Sequence, residues 1–118
     1  MKIKYLLFIM FASYSAENFA AFSEEENSQL ASINQKSSRE VKSALDKLNK
    51  SIDKQIGNNP EHKSLILSLK DSWNQMIDKK CQLETIDSKG TNAEMAEVNN
   101  CIVRNYQEEK NYFDAMLP

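Results

Sequence analysis

The chain contains very few of the residues that interrupt helices. Its 118 residues include only two glycines and two prolines. A sandwich or barrel of short strands needs frequent turns, and glycine and proline supply most of them. Their scarcity excludes such folds and favours long helices with few breaks. A chain of this length has room for one domain.

Histidine and cysteine are also scarce. His62 is the only histidine, and Cys81 and Cys101 are the only cysteines. A zinc site normally needs four such ligands at close spacing, so we predict no metal and no cofactor. A catalytic His62 would need a nucleophile and an orienting group, and the sequence proposes neither. We therefore interpret His62 as a solvated surface residue and expect no enzymatic activity.

Basic residues are not concentrated in any one part of the chain. There are 15 basic and 17 acidic residues, with no basic stripe, so nucleic acid is not an expected partner. A mildly acidic protein suits a cationic partner.

The N-terminus resembles an export signal. Lys2 and Lys4 precede the uncharged run 5–12 (YLLFIMFA), and small residues follow. This run is too short to span a bilayer, which takes roughly 20 residues. We predict a signal peptide over residues 1–20, cleaved after Ser15 or Ala20, and no stable membrane span afterwards. The alternative is a buried N-terminal core helix.

Removal of the signal peptide defines the mature chain, residues 21–118, which we expect in the periplasm or outside the cell. Taking Lys2 and Lys4 from the 15 basic residues leaves 13 against 17 acidic ones if cleavage follows Ser15, a net charge of about −4. In such an oxidising compartment two cysteines in a short chain indicate a disulfide, Cys81–Cys101.

Apolar residues recur at helical spacing in three segments. The first helix is predicted from Ser23 to Ile56, the second from the Asn59 cap and Pro60 to about Leu83, and the third from Thr91. The predicted inward stripes are Leu30, Ile33, Val41, Leu45, Leu48, Ile52 and Ile56; Leu65, Ile66, Leu69, Trp73, Met76, Ile77 and Cys81; and Met95, Val98, Ile102, Tyr106, Phe113 and Leu117, interrupted at Glu109. We predict an all-α, antiparallel bundle of about three helices stapled by one disulfide, with Trp73, Leu48, Leu69 and Ile102 in its core.

The connection between the second and third helices is the best candidate for a partner contact. Asp87, Ser88, Lys89 and Gly90 have turn chemistry and lie in the loop closed by the predicted disulfide. A loop that is ordered beforehand loses less entropy on binding, although a plain connector explains these residues equally well. The acids near this loop could serve as paired carboxylates for glycoside hydrolysis, but a solvated polar face explains them better. These acids are Asp78, Glu84, Asp87, Glu94 and Glu97.

Several residues together resemble a known family. Trp73, followed after seven residues by Cys81, a glycine-containing loop and Cys101, is similar to the lysozyme inhibitor LprI-like N-terminal domain family, also catalogued as a domain of unknown function. The segments 33–35 (INQ) and 44–49 (ALDKLN) resemble the upstream part of that family.

The chain departs from this family where Lys36 replaces a cysteine and where 76–78 (MID), Tyr106 and Glu109 replace its usual residues. The resemblance implies an exported helical domain and, for some members, inhibition of lysozyme. The sequence thus predicts an exported, non-enzymatic binding protein with a protein partner, and the resemblance implies that this partner is a lysozyme, which the chain inhibits. The alternative is a structural or interaction protein of the bacterial envelope, such as a helical adaptor or a secreted virulence-associated factor.

Overall fold

Three α-helices account for nearly all of the chain in the computed structural model, which describes the backbone of residues 2–116 and the side chains of residues 24–116. They are α1 (Lys2–Asn58), α2 (Lys63–Glu84) and α3 (Glu94–Asp114), with short 3₁₀ turns at Pro60–His62 and Ile86–Ser88. No strand occurs within residues 2–116. The predicted all-α class, the three helices and the disulfide are confirmed.

The first helix begins earlier than predicted. We expected Ser23 to start it, but α1 already begins at Lys2. The segment between Lys2 and Ser23 contains neither glycine nor proline, so nothing ends a helix there, and a serine followed by acids is only a weak signal for a start. The side chains of the predicted signal peptide, residues 1–20, lie outside the described residues. The chain divides into two units, Met1–Ile33 and Asn34–Pro118, and the buried residues of the described part of the chain all lie in the second.

Asn59 ends α1 instead of capping α2. Its side-chain Nδ2 donates a hydrogen bond to the Gln55 carbonyl oxygen, at 3.2 Å, and it makes no side-chain cap to the following turn. Pro60 opens a 3₁₀ turn, and α2 follows from Lys63. The predicted break is therefore right, but the predicted role of Asn59 is wrong, because the free carbonyls at the end of α1 compete for the same side chain.

The start of α3 also differs from the predicted capping box. The helix begins at Glu94 with Ala93 as its cap residue. The Thr91 hydroxyl donates to the Ser88 carbonyl oxygen at 2.6 Å, while the Glu94 carboxylate accepts from the Gly90 N–H at 2.9 Å. The two side chains thus stabilise the turn before the helix, not each other's N–H groups.

The helices alternate in direction. Cys81 is bonded to Cys101, and farther along Trp73 packs against Tyr112 with ring centroids 5.2 Å apart, so α2 and α3 are antiparallel. Residues 34–58 of α1 run parallel to α3, because Asn99 Nδ2 donates to Ser37 Oγ at 3.0 Å near the start of α3. Near the end of α3, the Lys110 ammonium and the Ser51 hydroxyl of α1 hold the pKa of Asp114 low. Short connections between long helices lead to this arrangement.

Buried side chains form two clusters at opposite ends of the bundle. The apolar cluster contains Leu48 and Ile52 of α1, Ile66 of α2 and Phe113 of α3, with Leu69 packed against it. The disulfide cluster contains Ile77, Cys81 and Cys101, with Trp73 and Ile102 packed against it. Of the four predicted core residues, Leu48 is fully buried, while Trp73, Leu69 and Ile102 are half-buried.

Some predicted stripe positions face solvent. Leu65 is 70% exposed, Met76 50%, Met95 51% and Ile33 53%. On α2 the buried positions are Ile66, Ile77 and Cys81, and the line through Leu65 and Met76 lies roughly 120° away at 3.6 residues per turn. The predicted stripe was therefore too wide, and it combined an inner face with an outer one. Leu117 lies outside the described residues.

The buried line of α3 is more polar than predicted. It consists of Cys101, Asn105, Glu109 and Phe113, spaced by four residues. Glu109, which the sequence marks only as an interruption, is fully buried. The helices of the described part of the chain contain no segment long and apolar enough to cross a membrane.

Candidate functional site

The disulfide joins the end of α2 to the first half of α3. Cys81 and Cys101 have their Cα atoms 5.7 Å apart, within the range that a disulfide requires. Both are almost fully buried. Asn105, one turn along α3, donates to the Cys101 carbonyl oxygen at 2.8 Å and accepts at Oδ1 from Lys80 at 3.1 Å. This end of the helix pair is therefore tied by one covalent and several polar links.

The segment 82–92, called here the disulfide loop, is held by its own hydrogen bonds. Thr85 Oγ1 donates to the Cys81 carbonyl oxygen at 2.6 Å and closes α2. The Ser88 hydroxyl donates to the Glu97 carboxylate of α3. Gly90 has φ +79°, a conformation that favours glycine because a Cβ atom would clash with the backbone. These bonds give the loop one shape before any partner arrives.

The four predicted contact residues divide into two groups. Asp87, Lys89 and Gly90 are exposed, and Ser88 is half-buried. Because the Ser88 hydroxyl is bonded to Glu97 and Gly90 makes the turn, these two shape the loop. Asp87 and Lys89 present charged groups to solvent at its tip. The structure thus places all four together and leaves two of them available for contact.

A shallow groove of about 490 Å³ lies beside the disulfide loop. Its apolar wall includes Leu83, Ile86 and Val98, and its rim carries Lys79 and Lys89. Leu83 is 72% exposed and Ile86 60%, which is high for aliphatic side chains that lie next to each other. The sequence did not point to this surface, because turn chemistry predicts a partner contact only for the polar residues of the loop.

Glu109 is the most unusual group in the bundle. Its side chain is fully buried, and neither carboxylate oxygen has a hydrogen-bond partner among the described residues. Burial raises its pKa from 4.5 to about 7, and the nearby Lys70 ammonium opposes this shift. Tyr106 has its pKa raised as well, by burial and by the Glu109 and Asp78 carboxylates. The only sequence signal for this site was a charged residue interrupting an apolar stripe.

The remaining candidates have simple local roles. His62 is exposed and lies 3.5 Å from the Glu61 carboxylate. Of the five acids around the loop, Asp78 accepts from Gln82, Glu94 from Gly90 and Glu97 from Ser88. Glu84 and Asp87 are exposed. In the part of the chain whose side chains are described, no three histidine, cysteine, aspartate or glutamate residues are grouped as metal ligands.

These features make the disulfide end of the bundle the candidate site for binding. It combines a loop of defined shape, two exposed charges at the tip and an apolar groove alongside. Comparison of the chain with protein-family models, with curated proteins and with solved structures finds no match.

Proposed function

We propose that this chain is an exported, non-enzymatic binding protein that contacts a protein partner through the disulfide loop. The observation that carries this proposal is the internal bonding of the loop, in which Ser88, Gly90 and Thr91 are all engaged. A loop that is already ordered pays little conformational entropy on binding. Asp87 and Lys89 at its tip supply the polar contacts.

The proposed partner is a lysozyme. The spacing of Trp73, Cys81 and Cys101 resembles a family in which some members inhibit lysozyme. The mature chain is acidic, and Glu84 and Asp87 are exposed at the proposed contact end. An acidic surface accelerates association with a basic enzyme, and salt weakens this effect over a distance of about 8 Å at physiological ionic strength.

Export depends on residues 1–20 acting as a signal peptide, which leaves the mature protein in the periplasm or outside the cell. Mass spectrometry of protein recovered from the periplasm and medium measures its N-terminus. We expect the mature chain to begin at residue 16 or 21. If the chain were found uncleaved, and only in the cytoplasm, the prediction of export would be refuted.

A turbidity assay of bacterial cell-wall lysis, run at low and at physiological salt, tests the binding function. We expect the protein to slow lysis by a lysozyme, and Asp87→Ala to raise the inhibition constant about two- to fivefold, the effect of losing an exposed ion pair worth about 0.5–1 kcal/mol. Glu108→Ala is the matched control, because Glu108 is also an exposed acid but lies on α3 outside the loop. If Asp87→Ala left the inhibition unchanged, the proposed function would stand, but the disulfide loop would not be the contact site.

A role as an interaction protein of the envelope is the second candidate. The exposed Leu83 and Ile86 in the groove favour it, because apolar side chains beside a groove suit an amphipathic helix better than a polar enzyme cleft. Absence of inhibition against every lysozyme class at micromolar protein would favour this candidate over the first.

A further inference from the structure

Glu109 lies in the middle of the bundle, between the two buried clusters. The hydrogen bonds that join α1 to α3 place it level with residues 46–47 of α1. The disulfide and the contact of Trp73 with Tyr112 place it level with residues 73–76 of α2. Its side chain is fully buried, so the carboxyl group is enclosed where all three helices meet.

The interior at this level lacks hydrogen-bond donors. Two more buried oxygens without a partner, Asn49 Oδ1 of α1 and Asn74 Oδ1 of α2, lie within about one turn of the level of Glu109. Within residues 24–116, every buried side-chain nitrogen or oxygen that has no hydrogen-bond partner is an oxygen. We call Glu109, Asn49 and Asn74 the middle layer. A protonated carboxyl group brings an O–H donor to this layer, whereas an ionised one brings only a further acceptor.

The charged groups around the middle layer do little to stabilise an ionised Glu109. Burial raises its pKa from 4.5 to about 7, and the Lys70 ammonium of α2 only partly opposes this shift. Lys80, also on α2, is bonded to a neighbouring asparagine of α3. On α1 the aspartate and lysine at 46–47 are both exposed. On α3 the pKa of Tyr106 is raised above its ordinary value of 10, so this group stays neutral.

Of the three helices, α1 is the least firmly attached. The backbones of α2 and α3 approach each other more closely than either approaches α1, and the disulfide joins them covalently. Residues 34–58 of α1 are held by Leu48 and Ile52 in the apolar cluster and by a few hydrogen bonds, such as that of Ser37 with Asn99. Local opening follows the weakest attachment, so α1 is the element that separates when the middle layer is destabilised.

We propose that Glu109 is a pH-operated latch on α1: the protonated carboxyl group keeps residues 34–58 docked on the α2–α3 pair, and its ionisation releases them. Release lets water reach the carboxylate and exposes Leu48 and Ile52. The α2–α3 pair remains closed, because the disulfide and the contact of Trp73 with Tyr112 lie within it.

The alkylation rate of a thiol at Ala44→Cys measures this release. Ala44 is 8% exposed and lies beside Val103 of α3, so a thiol there reacts only when α1 separates. Between pH 5 and pH 7.5 the opening equilibrium rises with the ionisation of Glu109. The matched control is the same cysteine combined with Glu109→Gln, which removes the latch but keeps the pH dependence of the thiol itself. We expect the ratio of the two alkylation rates to rise at least tenfold over this range.

The emission of Trp73, the only tryptophan, reports on the α2–α3 pair over the same range and should show no shift towards that of exposed tryptophan. Hydrogen exchange of residues 41–55 and 66–81, each corrected for its intrinsic rate at that pH, repeats the measurement without an introduced cysteine. A constant ratio of alkylation rates overturns the proposal. So does a shift of Trp73 emission in step with alkylation, since the whole bundle then opens. No partner takes part in these measurements, so their outcome is independent of the proposed binding function.

Discussion

The two ends of the bundle are held together by different means. At one end the apolar cluster joins all three helices through Leu48, Ile52, Ile66 and Phe113. At the other end the disulfide cluster joins only α2 and α3, through Ile77 and the bonded cysteines. The links of this second end are one covalent bond, the Asn105 hydrogen bonds and the contact of Asn99 with Ser37.

The disulfide lies at the end of the bundle where the buried cluster joins fewer helices. Burial of apolar surface is the main source of stability in a small domain, and a covalent link adds to it by restricting the unfolded chain. The disulfide also holds the base of the disulfide loop.

Replacement of Phe113 should give the largest loss of stability. Phe113 is fully buried in the apolar cluster and contacts Trp73 and Tyr112 through its ring. Phe113→Ala should lower the free energy of unfolding by about 3–5 kcal/mol, the usual cost of truncating a buried aromatic. Chemical denaturation measures it. Trp73→Ala is the comparison: Trp73 is half-buried, so its replacement should cost less, and an equal or larger loss would contradict Phe113 as the side chain that contributes most to stability.

Breaking the disulfide should destabilise the opposite end. In the chain-entropy model, closing a loop of about 20 residues is worth about 3 kcal/mol. Cys81→Ser combined with Cys101→Ser should lower the thermal midpoint accordingly, and hydrogen exchange should increase most in the disulfide loop. Titration of thiols in the oxidised wild type provides the control. Two free thiols, or an unchanged midpoint in the variant, would refute the role assigned to the bridge.

Glu109 lies one turn before Phe113 on the buried line of α3, and its effect depends on pH. Because its pKa in the folded protein is about 7 and its ordinary value is 4.5, the folded state binds the proton more tightly than the unfolded state. The stability that the neutral carboxyl contributes is therefore fully present below pH 4.5 and is lost as the pH rises to about 7. A pKa difference of this size corresponds to a change of at most about 3 kcal/mol in the free energy of unfolding.

Glu109→Gln removes this titration while keeping the shape of the side chain. We expect equal stability of the variant and the wild type near pH 4.5, and a variant more stable by up to about 3 kcal/mol at pH 8.5. Glu108→Gln, the same substitution at the neighbouring exposed site, is the matched control. Denaturation curves across this pH range give the comparison. Parallel pH profiles for Glu109→Gln and the wild type would mean that Glu109 is not held neutral by burial.

The sequence predicted the helices better than their ends. The scarcity of glycine and proline and the periodicity of Leu48, Ile52 and Ile77 were enough for the all-α class, because these signals act within a few turns of helix. The start at Ser23 was wrong because α1 continues through it. The caps at Asn59 and Thr91 were wrong because each side chain can bond more than one backbone group, and the neighbouring segment decides which one it bonds.

The candidate site was predicted in part. The pair Cys81–Cys101 followed from cysteine count, spacing and the expected compartment, and the turn at Asp87–Gly90 from its composition. The groove could not be predicted, because nothing in the sequence distinguishes an exposed leucine or isoleucine, such as Leu83 or Ile86, from a buried one. The hydrogen bond from the Ser88 hydroxyl to the Glu97 carboxylate could not be predicted either, because nine residues separate the two along the chain.

The sequence by itself determined the three helical segments, the turn between the second and third, and the one possible intramolecular disulfide, because local propensity and cysteine count are properties of the chain alone. Only the tertiary structure decided which side of each helix is inside. A helix with apolar residues over a wide arc has two possible inner faces, and neighbouring helices cover one of them. On α2 that choice buried Ile66 and Ile77 and left Leu65 and Met76 in solvent, and on α3 it placed Glu109 in the interior, where loss of hydration raises the pKa of its carboxyl group.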